Sequence, residues 1–150
     1  VVLSGTLIGC KQKNQSDKKT DLMKYGIPVS IDAPSDVEIS KLGSGRLADV
    51  SLKNQNGYDI QIFMAEAFSN DLTKLKQQKK ETVTANPFFS KIVEEYPDGF
   101  LYEKITNEDT RNYDFIIIKV MGYKEINFQC GNSKEFSEQE VKNMIHTIRK

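Results

Sequence analysis

The sequence predicts an α+β domain, an antiparallel β-sheet with helices packed on it. Three observations carry that expectation. Short runs of alternating apolar and polar residues, separated by turn signals, fill 25–66 and 100–130. A stretch free of Gly and Pro and rich in Lys and Gln interrupts them over 70–85, and a capped amphipathic helix closes the chain. At 150 residues, 38% hydrophobic and 28% charged, the chain has single-domain length and enough apolar side chains for an ordinary core.

Tyr25 to Pro34 places Ile27, Val29, Ile31 and Ala33 at alternate positions, and Pro28 confines this strand to a sheet edge or a strand start. Val37 to Leu42 reads as a second strand. Gly43-Ser44-Gly45 turns the chain into a third, Arg46 to Lys53, with Ala48, Val50 and Leu52 on one face. Asn54-Gln55-Asn56-Gly57 is a hairpin signal, and Tyr58, Ile60, Ile62 and Met64 alternate with Asp59 and Gln61 on the returning strand.

Asn70 to Ala85 reads as a helix with Leu72, Leu75 and Val83 inward. Asn86-Pro87 suits an N-cap and first helical position, and Phe89, Ile92, Val93 and Tyr96 recur at i, i+3, i+4 and i+7. A second helix is therefore expected up to Pro97-Asp98-Gly99. Phe100 to Thr106 and Arg111 to Met121 are strands joined by a turn at Asn107 to Thr110. Phe115-Ile116-Ile117-Ile118 is apolar at every position, which marks a central strand covered on both sides. On Tyr123 to Cys130, Ile126, Phe128 and Cys130 point one way, and Glu125, Asn127 and Gln129 the other. Ser137 with Glu140 makes a capping box, Phe136 with Val141 a hydrophobic staple, and Val141, Met144, Ile145 and Ile148 the buried stripe of the last helix.

This order of elements, with the Gly26-Ile27-Pro28 to Pro34 opening, is similar to the PsbP-like fold, shared by Mog-type Ran-binding proteins and DcrB-type bacterial lipoproteins. The resemblance covers 25–150, implies a non-catalytic accessory or binding role, and carries no functional residue across.

Residues 1–9 hold no charge and end at Cys10, after which Lys11 to Lys24 turns polar. An apolar run, a small residue and then a polar tract form the back half of a secretory signal. Nine residues are too few to span a bilayer, which needs about 20 in a helix. Leu7-Ile8-Gly9-Cys10 resembles the lipobox of bacterial lipoproteins. The chemistry fits: Cys10 supplies the thiol for a diacylglyceryl thioether, Gly9 leaves a slim bond for the signal peptidase, and Leu7 fills an apolar pocket. The resemblance implies cleavage before Cys10 and an acylated new N-terminus. With no initiator Met or basic segment before Val1, an unseen upstream portion is expected. The alternative reading is a buried first strand, Val1 to Ile8, with Cys10 an ordinary thiol. Expected organisation is thus a signal remnant (1–9), a lipidated cysteine and flexible tether (10–24), and one globular domain (25–150). Lys11 to Lys24, 14 residues, would reach roughly 20 Å as a coil. Its five lysines against two aspartates suit anionic lipid, or simply a solvated linker.

Equal numbers of basic and acidic residues, 21 each, argue against a general nucleic-acid binder. Two cysteines make no disulfide-dense scaffold, and one histidine makes no multi-histidine metal site. His146 falls off the buried stripe of the last helix, and Cys130 ends an apolar alternation as a buried thiol. Glu94-Glu95 reads as a solvated side, Glu108-Asp109 as a hairpin tip, and Asp32, Asp36 and Glu38 as turn residues in preference to a calcium site. No catalytic residues, metal or cofactor are assigned. Charge is segregated: Lys74, Lys76, Lys79 and Lys80 form a basic stretch, whereas 94–114 holds seven acids against Lys104 and Arg111. The four lysines are candidate contacts for lipid headgroups or a partner, with plain solvation as the alternative.

The expected protein is a lipid-anchored component of the bacterial cell envelope, its domain outside the cytoplasm. Lys11 and Gln12 after Cys10 resemble the sorting pattern for outer rather than inner membrane. Its expected partners are the bilayer, through Cys10, and an envelope protein. The rival expectation is a small-ligand-binding module or hydrolase with a pocket between sheet and helices.

Overall fold

The computed structural model describes residues 16–43, 47–107 and 109–150. Leu7, Ile8, Gly9, Cys10 and the first part of the expected tether lie outside the described residues, as do Ser44, Gly45, Arg46 and Glu108. The strands are β1 (Asp17–Asp21), β2 (Ser30–Pro34), β3 (Glu38–Lys41), β4 (Asp49–Lys53), β5 (Asp59–Glu66), β6 (Phe89–Tyr96), β7 (Gly99–Thr106), β8 (Thr110–Met121) and β9 (Lys124–Cys130). Helix α1 (Leu72–Thr84) follows β5, and α2 (Glu138–Arg149) closes the chain. The class is α+β. β1 and β2 form a two-stranded sheet, and the others a seven-stranded antiparallel sheet in the order β3-β4-β5-β9-β8-β7-β6.

The doubly apolar run on β8 organises both sides of this sheet. Alternation sends Phe115 and Ile117 to one face, where they join Leu101, Ile126 and Phe128 in the larger core. That core is roofed by α2, through Val141, Met144, Ile145 and Ile148, and by Ile31 and Ala33 of β2. Ile116 and Ile118 go to the opposite face and pack with Phe100, Tyr102 and Leu75 of α1. Gly99 opens β7 because a Cβ there would overlap the carbonyl oxygen of Ile116 on β8.

Both helices begin on local chemistry. Asp71 caps α1 by accepting from the N–H groups of Thr73 and Lys74 at 2.9 and 3.3 Å. Ser137 accepts from Glu140 N–H at 3.2 Å, and Glu140 accepts from Ser137 N–H at 2.9 Å, completing the capping box.

Two expectations require correction. Residues 87–96 form no second helix: 87 and 88 lie in a turn and Phe89–Tyr96 is a strand. β6 shifts register between Phe89 and Lys91 and again between Ile92 and Glu94. Each irregularity breaks the two-residue period, so Phe89 and Ile92 pack on the α1 side while Val93 and Tyr96 pack on the α2 side. A bulged strand buried on both faces thereby reproduces helical spacing. Asn86 caps no helix; its side chain accepts from Phe88 N–H at 2.9 Å in a turn.

The second correction concerns the tether. From Asp17 onward the chain is part of the fold: β1 pairs with β2 over five residues, and Leu22 is 0% exposed in the larger core. The polar composition there reflects a strand whose side chains are nearly all exposed, with Leu22 the residue that anchors it.

Phe115→Ala is expected to cost about 3–5 kcal/mol, because it empties a site filled on every side. Phe68→Ala, at a side chain 62% exposed, should change stability by less than about 0.5 kcal/mol. Urea denaturation of both variants checks this; equal losses would contradict the two-core arrangement.

Candidate functional site

On the α1 face of the sheet the helix covers the apolar cluster around Ile116 and Ile118, and beyond it the face is polar. Gln61 on β5, Gln129 on β9, Asn112 and Asp114 on β8, and Lys104 on β7 occupy that polar part. The β8–β9 ladder runs from Met121↔Lys124 to Ile117↔Phe128 and then stops. Past this point Cys130 N–H donates to the Asp114 carboxylate at 3.1 Å instead of to a β8 carbonyl. The chain after β9 returns so that the Phe136 carbonyl accepts from Tyr113 N–H at 3.0 Å. Parting of the two strands leaves a cleft of about 550 Å³, lined by those five polar residues and the 131–136 segment.

Asp114 holds the parted strands. One oxygen accepts from Phe115 N–H at 2.8 Å and from Cys130 N–H; the other accepts from Lys104 Nζ at 3.1 Å. Burial and the nearby Asp114 carboxylate both push the Tyr102 phenol up. The same two influences push the Cys130 thiol up, so it stays protonated and is a poor nucleophile at neutral pH. Gln129 donates to Gln61 at 3.2 Å, and Gln61 in turn donates to Asp49 at 3.2 Å. Asn112 is different: it is 7% exposed, and its side-chain oxygen has no hydrogen-bond partner.

On the other face of β7 and β8, Glu103 is buried among Ser90, Tyr113 and Arg111, at 2.9, 2.9 and 3.4 Å. Burial alone would raise its carboxyl, but the hydrogen bonds from Ser90 and Tyr113 and the charges of Lys91 and Arg111 hold it low.

The basic residues expected to meet a partner mostly meet the protein itself. Lys79 reaches Glu125 at 3.0 Å, and Lys80 pairs with Glu95. Lys76 bonds the Tyr96 carbonyl and stands 4.0 Å from Glu95. Lys74 is exposed and makes no ion pair among the described residues. Of the seven acids in 94–114, Glu95 meets the basic stretch across the α1–sheet contact, and Glu125 of β9 meets it as well. Glu125 and Asn127 are buried there, with Asn127 donating to Glu125 at 3.0 Å. His146 is exposed on α2, and Asp36 sits in the β2–β3 turn, accepting from Asn54 at 3.0 Å. Among the described residues no three His, Cys, Asp or Glu side chains gather to hold a metal, and no helix is long and apolar enough to cross a membrane.

Lys104, Asn112 and Asp114 are not among the sequence-derived candidates for binding. Their signal is the switch on β8 from polar positions at 112 and 114 to the four-residue apolar run, beside the alternating polar face of β9. The chain matches no protein-family model, no curated protein and no solved structure. Function must therefore be argued from its own residues.

A lowered carboxyl contributes stability above its unfolded pKa, and that contribution is lost as pH falls through the folded value. Glu103→Gln should therefore destabilise the protein at pH 6, with the gap from wild type narrowing below pH about 4. Urea midpoints across that range measure it, and a gap independent of pH would contradict the assignment. Lys79→Glu sets a second carboxylate against buried Glu125 and should cost about 2 kcal/mol or more, whereas Lys74→Glu should be near neutral. Thermal melts of the two variants distinguish them; equal melting temperatures would refute the internal role of Lys79.

Proposed function

We propose that this chain is a bacterial lipoprotein whose domain is held to the cell envelope by acylated Cys10 and serves a non-catalytic binding or accessory role in an envelope complex. The observation that carries the reading is Leu7-Ile8-Gly9-Cys10, placed between an uncharged run and a polar tract. Each buried methylene of an acyl chain contributes about 0.8 kcal/mol, so two or three chains on one cysteine hold a domain to a membrane permanently.

The early start of β1 supports a short leash. From Cys10 to Asp17 there are seven residue steps, which span at most roughly 25 Å even fully extended. Lys18, Lys19 and Lys24 are exposed beside that attachment, and anionic headgroups attract such residues by about 1 kcal/mol each. Lys11 and Gln12 favour the outer membrane as the site of retention. The PsbP-like resemblance belongs to the same reading, because it implies binding and assembly rather than chemistry.

A second reading, a small-ligand-binding module, is favoured by one observation: Asn112 lines the cleft between β8 and β9, and its buried side-chain oxygen has no partner. The hydrolase form of that alternative gains little from Cys130, whose thiol is buried and protonated. An anchored protein that presents this cleft outside the cytoplasm combines the two readings.

Cys10→Ala should abolish incorporation of a labelled fatty acid and move the protein from the membrane pellet to the soluble envelope fraction. Labelling that persists in the variant would remove the lipoprotein assignment.

A further inference from the structure

The charged groups around the β8–β9 cleft are already satisfied. Lys104 pairs with Asp114, whose other oxygen takes two backbone N–H groups. Lys134 pairs with Glu140, and Glu135 accepts from Thr106 at 2.8 Å. An anionic or cationic ligand would have to break one of these pairs to find a counter-charge. The unmet capacity is neutral. Asn112 offers an amide that presents one acceptor and two donors, and its oxygen lies buried without a donor. Gln129 commits one N–H to Gln61 and stands in the same lining. A buried amide oxygen left unpaired costs about 1–3 kcal/mol, which a ligand hydroxyl that reaches it would recover.

Size and neighbourhood narrow the class further. About 550 Å³ falls within the roughly 300–1,000 Å³ of small-molecule sites. Lys104 also borders a second cavity of about 170 Å³, whose walls include Val83, Phe89 and Tyr102. The cleft therefore offers amides for hydroxyl groups, and the smaller cavity on the other side of Lys104 sets the rings of Phe89 and Tyr102 beside Thr82 and Asn86.

We propose that the cleft between β8 and β9 binds a neutral, hydroxyl-rich ligand, a short saccharide, with Asn112 as its principal hydrogen-bonding residue. The proposal rests on the reading of this cleft as a binding site and is independent of the lipid anchor. It is tested on the full chain carrying Cys10→Ala, by two-dimensional amide NMR with two neutral trisaccharides, chitotriose and maltotriose, and with phosphate and glutamate as charged probes. At least one trisaccharide should shift the Asn112 side-chain amide and the backbone signals of β8 and β9 in a saturable way. Asn112→Ala should weaken that binding tenfold or more without lowering the melting temperature, because the side-chain oxygen it removes has no partner in the free protein. Shifts with phosphate or glutamate but neither trisaccharide would keep the site and overturn the ligand class. No shift with any of the four probes, or saccharide binding unchanged in Asn112→Ala, would overturn the site itself.

Discussion

Burial of β8 on both faces is the constraint from which the rest of this structure follows. Four consecutive apolar residues, Phe115 to Ile118, cannot be hidden by a single layer, because alternation sends two of them to each side of the sheet. Two covering layers are required, and the chain supplies them from distant segments. α2 and the β1–β2 sheet cover Phe115 and Ile117, while α1 covers Ile116 and Ile118. β7 and β9 must flank β8, and this is why the chain returns from β8 to insert β9 against β5. The polar cleft begins where that demand ends, at Asp114, one residue before the run.

Charge follows the same architecture. The basic residues of α1 and the acids of 94–114 look like two interaction surfaces when read along the chain. In three dimensions α1 lies on the sheet, so Lys76 and Lys80 meet Glu95, and Lys79 meets Glu125. Partly buried pairs of this kind fix how a helix sits more than they stabilise it, since desolvation offsets much of the attraction. Three of the chain's 21 basic residues, Lys76, Lys79 and Lys80, are thereby neutralised across one contact.

Much of the architecture is legible in the sequence, and the failures have physical causes. Period-two alternation marks β4, β5 and β9 because each turns one regular apolar face into the larger core, and Ser137 with Glu140 marks α2 because capping is a local interaction. β6 deceives because two register shifts distribute its apolar residues between both faces at helical spacing. β1 is hidden because nearly all its side chains are exposed, so it carries no alternation to read. The cleft is harder still. Asn112 and Asp114 are visible as polar positions, but the parting of β8 from β9 depends on where Phe136 bonds back to Tyr113. That is a tertiary choice with no local signature.

The proposed membrane attachment would give two features a common setting: the exposed lysines of β1, and the neutral polar cleft on the opposite face of the central strands. The attachment is the premise on which that setting depends. Mass spectrometry of the N-terminal peptide from protein isolated from its native membranes examines it most directly. The expected result is a mature chain that begins at Cys10 with its sulfur carrying a diacylglyceryl group. A recovered peptide that runs uncut through Gly9-Cys10-Lys11 with a free thiol would contradict it.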